Sequence, residues 1–209
     1  MYDSFAKTFS ESRKNHPWPE IDAIIADMKT HNIQKVLDIG CWNGRFLEEL
    51  DKQWHPLSYY QWIDNSEWMI QEAQKLHPEN CFQVCSMEHM ETSSIHGGYD
   101  AILFLASFHH LNSALSRMQT LSIARNLLAP HGRIYLTNWN LLENTELFER
   151  YQDGYDGNGD FRIKIGEYER YYHGFKLNEL ERLYEGVGYT IEHNQVFSHG
   201  KNIFSILTK

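Results

Sequence analysis

The chain has 209 residues, of which 42% are hydrophobic and 22% are charged, and its formal net charge at pH 7 is -9. These values indicate one globular domain, residues 1–209, that is long enough to bury its own core. The acidic balance gives no overall attraction to nucleic-acid phosphates, and no apolar run is long enough to cross a bilayer.

The first residues of the chain, its cysteines and its histidines indicate where the protein is located and whether it binds a metal ion. No basic segment followed by an apolar run opens the sequence, so no signal peptide is predicted. Cys81 and Cys85 fall on one face of a predicted strand, and with Cys41 they form no CxxC pair, a pattern more typical of packing than of a metal site. The twelve histidines include no pair at helical ligand spacing with a third ligand nearby. We therefore expect reduced thiols, no metal ion and a cytoplasmic location.

Strand-like and helix-like segments alternate from Lys35 to the end of the chain, which predicts an α/β fold with a largely parallel sheet. The predicted strands are residues 35–39, 59–63, 82–85, 101–105, 133–137, 190–197 and 203–208. The predicted helices are residues 45–53, 67–76, 115–128 and 177–185. A short connection containing Gly200 joins the last two strands and indicates a hairpin. The last strand should therefore run antiparallel to the others.

Two regions fall outside this alternation. Residues 1–34 are predicted to form an N-terminal helical cap before the first strand. Residues 140–175 follow the fifth strand and contain a polar, glycine-rich run and then an aromatic cluster. Ligands of open α/β sheets bind beyond the carboxyl ends of the strands. We therefore expect the cap and the 140–175 insertion, acting as a lid, to cover that edge and shape a substrate pocket.

The stretch VLDIGCWNGRF, residues 36–46, carries the first candidate binding turn. Asp38 lies in the first predicted strand, and Gly40 and Gly44 bracket a loop that enters a helix. Such a loop lets backbone N–H groups approach a ligand, and the helix N-terminus favours a negative group. A plain strand–helix connection is the alternative, and Trp42 between the two glycines is an unusual residue for a binding turn.

The end of the second predicted strand favours the binding interpretation. The strand, YQWID, ends in Asp64, which can accept hydrogen bonds from two vicinal ribose hydroxyls. An aspartate at a strand end is often only a helix cap. After a glycine turn at this interval, a ribose ligand is the better interpretation.

These motifs resemble those of the class I S-adenosylmethionine-dependent methyltransferases. VLDIGCWNGRF is similar to their first motif, hhDhGxGxGxh, except at the middle glycine, where Trp42 stands. WIDNSEWMIQEA, CFQVCSME and YDAILFLASFHHL resemble their second, third and fourth motifs, although Ser86 stands where an aspartate is usual. The resemblance implies a Rossmann-like α/β fold: a seven-stranded mixed sheet with helices on both faces and the last strand antiparallel. It implies S-adenosyl-L-methionine as cofactor, bound by Asp38, Gly40, Cys41, Trp42, Gly44, Asp64, Asn65, Met69, Ser86, Met87, Leu105 and Ala106.

Three further strings resemble a narrower family, the tRNA wobble-uridine carboxymethyl methyltransferases. They are YDSFAKTFSESRKNHPWPEI, FLASFHHL and RYYHGFKLNELERL. The resemblance implies methyl esterification of a carboxymethyluridine in tRNA, and eukaryotic relatives work with a small activator subunit. The sequence does not decide whether such a partner exists here.

The chemistry of that reaction gives an independent criterion. A carboxylate is already ionised near pH 7, so its methylation needs alignment and anion binding but no base. The candidate catalytic residues are the anion holders Arg13, Arg170, Tyr171 and His173, together with His109. His109 and His110 are expected to form the floor of the pocket. If His109 faces the site, the adjacent His110 is expected to point elsewhere.

Three alternatives remain open from the sequence. A small-molecule O- or N-methyltransferase is favoured by the acidic charge balance. A nicotinamide-dependent reductase would need G-x-G-x-x-G, which Trp42 interrupts. A non-catalytic cofactor-binding protein would be consistent with the unusual Trp42 and Ser86.

Overall fold

The computed structural model of the chain describes residues 19–40, 45–53, 57–93 and 95–209. Strands and helices alternate in its first half, with a 3-10 helix, Met87–Thr92, before the fourth strand. In chain order the elements are α1 (Pro19–Thr30), β1 (Lys35–Ile39), α2 (Arg45–Gln53), β2 (Tyr59–Asp64), α3 (Glu67–Leu76), β3 (Cys81–Val84) and β4 (Tyr99–Leu105).

The second half begins with a short 3-10 helix, Phe108–His110. The elements that follow are α4 (Ala114–Leu127), β5 (Leu128–Trp139), α5 (Thr145–Tyr151), β6 (Asp160–Ile165), β7 (Tyr168–His173), α6 (Leu177–Val187), β8 (Thr190–Phe197) and β9 (Asn202–Thr208). None of the described helices combines the length and apolarity needed to cross a membrane.

Seven of these strands form one sheet in the order β3-β2-β1-β4-β5-β9-β8. β1 pairs in parallel with both β2 and β4, and β9 lies antiparallel between β5 and β8. The predicted fold class, including the antiparallel last strand, is therefore confirmed. The strand order reverses direction between β1 and β4, and this switch point is where open α/β sheets bind ligands.

The central strand β4 shows why the sheet is covered on both faces. Ala101 and Leu103 pack in the cluster formed with α1, α2 and α3, whereas Ile102 and Phe104 pack in the cluster with α4 and α6. All four side chains are fully buried. Burial of a large aliphatic or aromatic side chain contributes about 1.5–3 kcal/mol, so this short apolar run anchors both layers of helices.

Local signals set the ends of the helices. The Ser66 hydroxyl accepts a hydrogen bond from the Met69 N–H at 3.3 Å, and Ser113 accepts one from Ser116 at 3.0 Å. These contacts satisfy N–H groups that have no partner inside α3 and α4. Helix α6 ends at Gly188, whose φ of +86° suits a glycine.

Region 140–175 contains more regular secondary structure than the sequence indicated. It contains α5 and an antiparallel hairpin, β6–β7, that turns at Gly166 with φ +64°. Phe161, Ile163 and Tyr172 on one face of the hairpin pack with Leu141 and Leu147 into a separate cluster. This packing holds β7 against the sheet edge. The expected role of the region as a lid stays a prediction.

Several predicted boundaries were shifted. β5 begins at Leu128, before the predicted residue 133, because Leu128 pairs with Tyr99 ahead of a bulge. Strand β3 ends at Val84, one residue earlier than predicted, although the Cys85 N–H still donates to the Asp64 carbonyl at 2.9 Å. Of the predicted N-terminal cap, residues 19–30 form α1, and residues 1–18 lie outside the described residues.

Candidate active site

A cavity of about 330 Å³ lies at the carboxyl ends of the central strands. One part of its wall comes from the ends of β1 and β2 and from the segment after β3. The other part comes from the segment after β4, the end of β5 and the hairpin strand β7. The cavity therefore joins the predicted cofactor residues to residues of the 140–175 region.

The turn after β1 brings the backbone very close to the segment after β4. Gly40 has φ +72°, and a Cβ atom there would lie 2.5 Å from the Cβ of Ser107. The Gly40 N–H donates to the Ile63 carbonyl at 2.8 Å, and the Ser107 hydroxyl donates to the Ile39 carbonyl at 2.7 Å. Glycine is therefore required both for the backbone angle and for the space. The predicted residues Cys41, Trp42 and Gly44 lie outside the described residues.

Asp38 is buried behind this turn and does not line the cavity. Its carboxylate accepts a hydrogen bond from the Tyr60 hydroxyl at 2.8 Å. Burial raises the pKa of Asp38 to about 7; the hydrogen bond from Tyr60 lowers it, and the nearby charge of Asp64 raises it. The hydrogen bond from Tyr60 is thus the interaction, among the described residues, that favours the ionised form of Asp38.

The end of β2 and the start of α3 form one wall of the cavity. Asp64, Asn65 and Met69 all line it, as predicted residues of the ribose and base region. The Ser66 N–H donates to the Asp64 carboxylate at 2.9 Å, which fixes the orientation of that carboxylate at the cavity.

The segment after β3 completes this wall. Ser86 and Met87 line the cavity, but the Ser86 hydroxyl already accepts a hydrogen bond from the Glu88 N–H at 3.2 Å. Glu88 lines the same wall with a carboxylate. Sequence reasoning missed Glu88; the signal available was an acidic residue two positions beyond Ser86, where the motif usually has an aspartate.

Leu105, Ala106 and Ser107 line the cavity immediately after β4. Ala106 has φ +53°, an uncommon angle for a residue other than glycine. Its N–H is shared between the carbonyl oxygen and the hydroxyl of Thr137, at 3.0 and 2.9 Å. These bonds hold a conformation that costs about 1–3 kcal/mol, and they fix the backbone at the centre of the cavity.

Both histidines of the short 3-10 helix line the cavity, so the expectation that His110 points elsewhere was wrong. The tight turn places the two rings 4.5 Å apart and nearly perpendicular. His109 is anchored on β5, because its Nδ1 accepts from the Trp139 N–H at 3.3 Å. His110 is anchored on β7, with its Nδ1 2.9 Å from the Tyr171 carbonyl.

Strand β7 brings two of the predicted anion holders, Arg170 and Tyr171, to the cavity. Arg170 is exposed, and its guanidinium lies 6.0 Å from the Tyr172 ring centre. No carboxylate of the described residues lies within ion-pair distance of Arg170. The Tyr171 hydroxyl instead donates to Asp160 at 2.6 Å and accepts from Arg117 at 3.2 Å.

His173 does not line the cavity, which contradicts its expected place among the anion holders. Its Nδ1 lies 2.6 Å from Asp160 and its Nε2 lies 2.8 Å from Glu179. Both ring nitrogens are thus engaged by carboxylates, and His173 connects the hairpin to α6. Burial alone would raise the pKa values of Asp160 and Glu179, but both are lowered, Asp160 by hydrogen bonds to Tyr171 and His173 and Glu179 by its bond to His173, with the charge of Arg117 lowering both. Arg13 lies outside the described residues.

A stack of aromatic rings forms the wall behind Arg170. Trp139 stacks on Tyr172 with ring centres 5.0 Å apart, and on Tyr151 with centres 5.9 Å apart. These contacts make Trp139 part of a rigid aromatic wall of the cavity.

Comparison with known proteins identifies the family of the chain. Residues 6–194 match the family model described as a methyltransferase domain. The chain belongs to this family. Membership makes the chain an S-adenosylmethionine-dependent methyltransferase domain and decides against the nicotinamide-dependent reductase.

Curated relatives give a narrower similarity. The tRNA (carboxymethyluridine(34)-5-O)-methyltransferase of Schizosaccharomyces pombe is 24% identical over 212 residues, covering 91% of this chain and 87% of that protein. The mouse enzyme of the same name, ALKBH8, is 27% identical over 139 residues, which cover 66% of this chain. This chain spans only 19% of the length of mouse ALKBH8 and 31% of the mouse probable tRNA methyltransferase 9B.

Solved structures agree on the fold. An S-adenosylmethionine-dependent methyltransferase from Clostridium acetobutylicum superposes with a TM-score of 0.76 at 15% identity, covering 99% of this chain and 98% of that one. The S-adenosylmethionine-bound amino pentose methyltransferase CalS10 from Micromonospora echinaspora gives a TM-score of 0.72 at 15% identity, with coverages of 97% and 95%.

The residues at the cavity fit the cofactor of this family. The Gly40 turn passes close to Ser107 at the cavity, where a side chain at position 40 would clash, and Asp64 presents a carboxylate suited to ribose hydroxyls. Asp38 lies behind the Gly40 turn, and the negative charge of its ionised carboxylate would favour the cationic amino-acid part from there. S-adenosylmethionine supplies a methyl group activated by a sulfonium.

Proposed function

We propose that this methyltransferase esterifies the carboxylate of a carboxymethyl-modified uridine at the wobble position of tRNA. The observation that carries the proposal is Arg170, an exposed cation at the cavity with no ion-pair partner among the described residues. A guanidinium binds a carboxylate through two parallel hydrogen bonds. The names of the curated relatives support the same acceptor.

His110 supports an acceptor that needs no base. Burial and the nearby charge of Arg170 lower the pKa of His110 to about 3, although its bond to the Tyr171 carbonyl raises it. An efficient general base has a pKa near the working pH, so His110 cannot serve as one. A carboxylate already carries the negative charge that attacks the methyl carbon. The protein then has only to align it and exclude competing orientations.

The distribution of charge on the protein surface limits where tRNA can bind. The net charge is -9, so contacts to phosphates must be local. Arg162, Lys164 and Arg170 are exposed on the β6–β7 hairpin next to the cavity, with Glu167 and Glu169 among them. We propose this hairpin as the first contact for the anticodon loop. The same acidic balance favours the second candidate, a small-molecule O- or N-methyltransferase.

Three further assignments belong to this proposal. We propose that residues 1–209 form a single methyltransferase domain, and that the enzyme acts in the cytoplasm, where tRNA and reduced thiols are found. The third assignment is a small activator subunit as partner, as in the eukaryotic relatives that the sequence resembles.

The test measures where a labelled methyl group goes. The purified protein is given methyl-labelled S-adenosylmethionine with total tRNA and, separately, with a small-metabolite pool. We expect label in tRNA that mild alkali releases as methanol, because an ester is hydrolysed there and an N-methyl group is not. Label confined to small molecules, or alkali-stable label in tRNA, would overturn the proposal.

Variants of Arg170 connect the result to the site. Arg170→Met should lower kcat/KM for tRNA by about ten- to a hundredfold, the usual contribution of a hydrogen bond to a charged group. The matched control is Arg150→Met, which removes another exposed arginine, on α5 and paired with Glu146 at 2.9 Å. The control should leave kcat/KM unchanged. Equal losses in both variants would indicate that charge in general, and not Arg170, matters.

A further inference from the structure

The two neighbouring histidines of the cavity carry their protons on different nitrogens. His109 Nδ1 accepts a hydrogen bond from the Trp139 backbone N–H, so the proton of its neutral ring is on Nε2. His110 Nδ1 lies 2.9 Å from the Tyr171 carbonyl oxygen, which can only accept. The His110 proton is therefore on Nδ1, and its Nε2 carries a lone pair.

That lone pair has no partner in the described part of the protein. His110 lines the cavity and is half-buried, and no hydrogen bond to its Nε2 exists among the described residues. The positive charge of Arg170 and the burial of the ring keep His110 neutral. The ring is also fixed in place, since it lies 4.5 Å from the Tyr172 ring and 4.5 Å from the His109 ring. The cavity thus contains a rigid hydrogen-bond acceptor.

The methyl-accepting nucleotide would bind beside Arg170. The position of His110 therefore determines which atoms of the base this histidine can contact. Both His110 and the Arg170 guanidinium lie against the Tyr172 ring, at 4.5 and 6.0 Å from its centre. A carboxymethyluridine carries its carboxylate on the substituent at C5. The single N–H of its ring is N3–H, and both N3 and C5 are bonded to C4. A cytosine ring has a lone pair at N3, which would face the lone pair of His110.

We propose that Nε2 of His110 accepts a hydrogen bond from the N3–H of the uracil ring and so selects uridine over cytidine at the acceptor position. This inference rests on the proposed function. His110 acts here as a specificity-determining residue, and no proton is transferred. A site built around a hydrogen bond rejects analogues that lack the donor, because the buried group is left without a partner.

The experiment uses two synthetic anticodon stem-loops, one with 5-carboxymethyluridine and one with its N3-methyl derivative. The wild-type protein should esterify the first at least tenfold faster in kcat/KM, about the effect of one lost hydrogen bond. His110→Phe keeps a ring but removes the acceptor. We expect it to lose about tenfold on the first substrate and to show nearly equal kcat/KM values for the two. His110→Gln, whose side-chain oxygen can accept, should restore part of the preference.

The ratio of the two substrates within one variant separates specificity from folding, since a partly unfolded enzyme loses activity on both alike. His131→Phe, which changes an exposed histidine, is the matched control and should retain the wild-type ratio. Equal wild-type activity on both stem-loops, or full discrimination by His110→Phe, would overturn the role of His110 but not the proposed function. No esterification of the first stem-loop by the wild-type protein would refute the proposed function, and this inference with it.

Discussion

Replacement of Asp38 by Asn should make the cofactor-free protein more stable at alkaline pH while abolishing cofactor binding. Asp38 is 2% exposed and accepts a hydrogen bond from Tyr60. Burial, the largest cause, raises its pKa to about 7. An asparagine at this position keeps an oxygen for the Tyr60 hydroxyl and carries no charge. The variant therefore removes the cost of ionisation without removing the hydrogen bond.

The sign and size of this stability difference follow from proton linkage. A carboxyl group with a raised pKa binds its proton more tightly in the folded state, so its stabilising effect is present at low pH and is lost as pH rises through about 7. Between pH 5 and pH 7 an unfolded aspartate is ionised and the folded Asp38 is protonated. Two pH units at 1.36 kcal/mol each give about 3 kcal/mol. The stability of Asp38→Asn relative to wild type should increase by this amount from pH 5 to pH 8.

Urea unfolding of both proteins at pH 5 and pH 8, without cofactor, measures the effect. Asp51→Asn removes an exposed aspartate of α2 and should show no such pH-dependent gain. S-adenosylhomocysteine should raise the melting temperature of the wild-type protein and of the control, but not that of Asp38→Asn. An equal free-energy difference between Asp38→Asn and wild type at both pH values would refute the reasoning, because Asp38 would then be ionised in the folded protein.

Two other predictions follow from close contacts. Gly40→Ala should weaken S-adenosylhomocysteine binding in calorimetry by at least tenfold, because its Cβ would meet Ser107 at 2.5 Å. Adding Ser107→Gly should restore part of the affinity. An unchanged affinity of the single variant would contradict the close approach of residues 40 and 107. Arg117→Met should lower the free energy of unfolding by about 2 kcal/mol through loss of its bonds to Leu111 and Tyr171. The same variant should raise KM for tRNA without changing cofactor affinity, and a change confined to cofactor affinity would contradict a role in holding the hairpin.

The sequence was sufficient to predict the sheet and the places of Gly40 and Asp64 at strand ends beside the cavity, because their signals are local. A glycine turn after a buried strand and an acid after the next strand appear within one βαβ unit, at Gly40 and Asp64. The contact of Gly40 with Ser107 was not predictable, since these residues are distant in the chain and meet only when β1 and β4 pair.

The acceptor half was harder to predict because it depends on packing between distant segments. The alternation of Phe161 and Ile163 with charged residues was a strand signal, but the glycine-rich run before it suggested a loop. The sequence identified His173 as a candidate anion holder without showing that two carboxylates would engage it. His110 was expected to point away, and only the fold shows that the Tyr171 carbonyl turns it toward the cavity.

The most direct test of the central claim is the chemical identity of the methylated nucleoside. A tRNA that carries carboxymethyluridine at the wobble position is incubated with the purified protein and S-adenosylmethionine, digested to nucleosides and analysed by mass spectrometry. We expect that the carboxymethyluridine is converted to its methyl ester, that alkali reverses the conversion, and that Arg170→Met slows it. A methyl group on a ring nitrogen or on ribose, or an unchanged carboxymethyluridine, would contradict it.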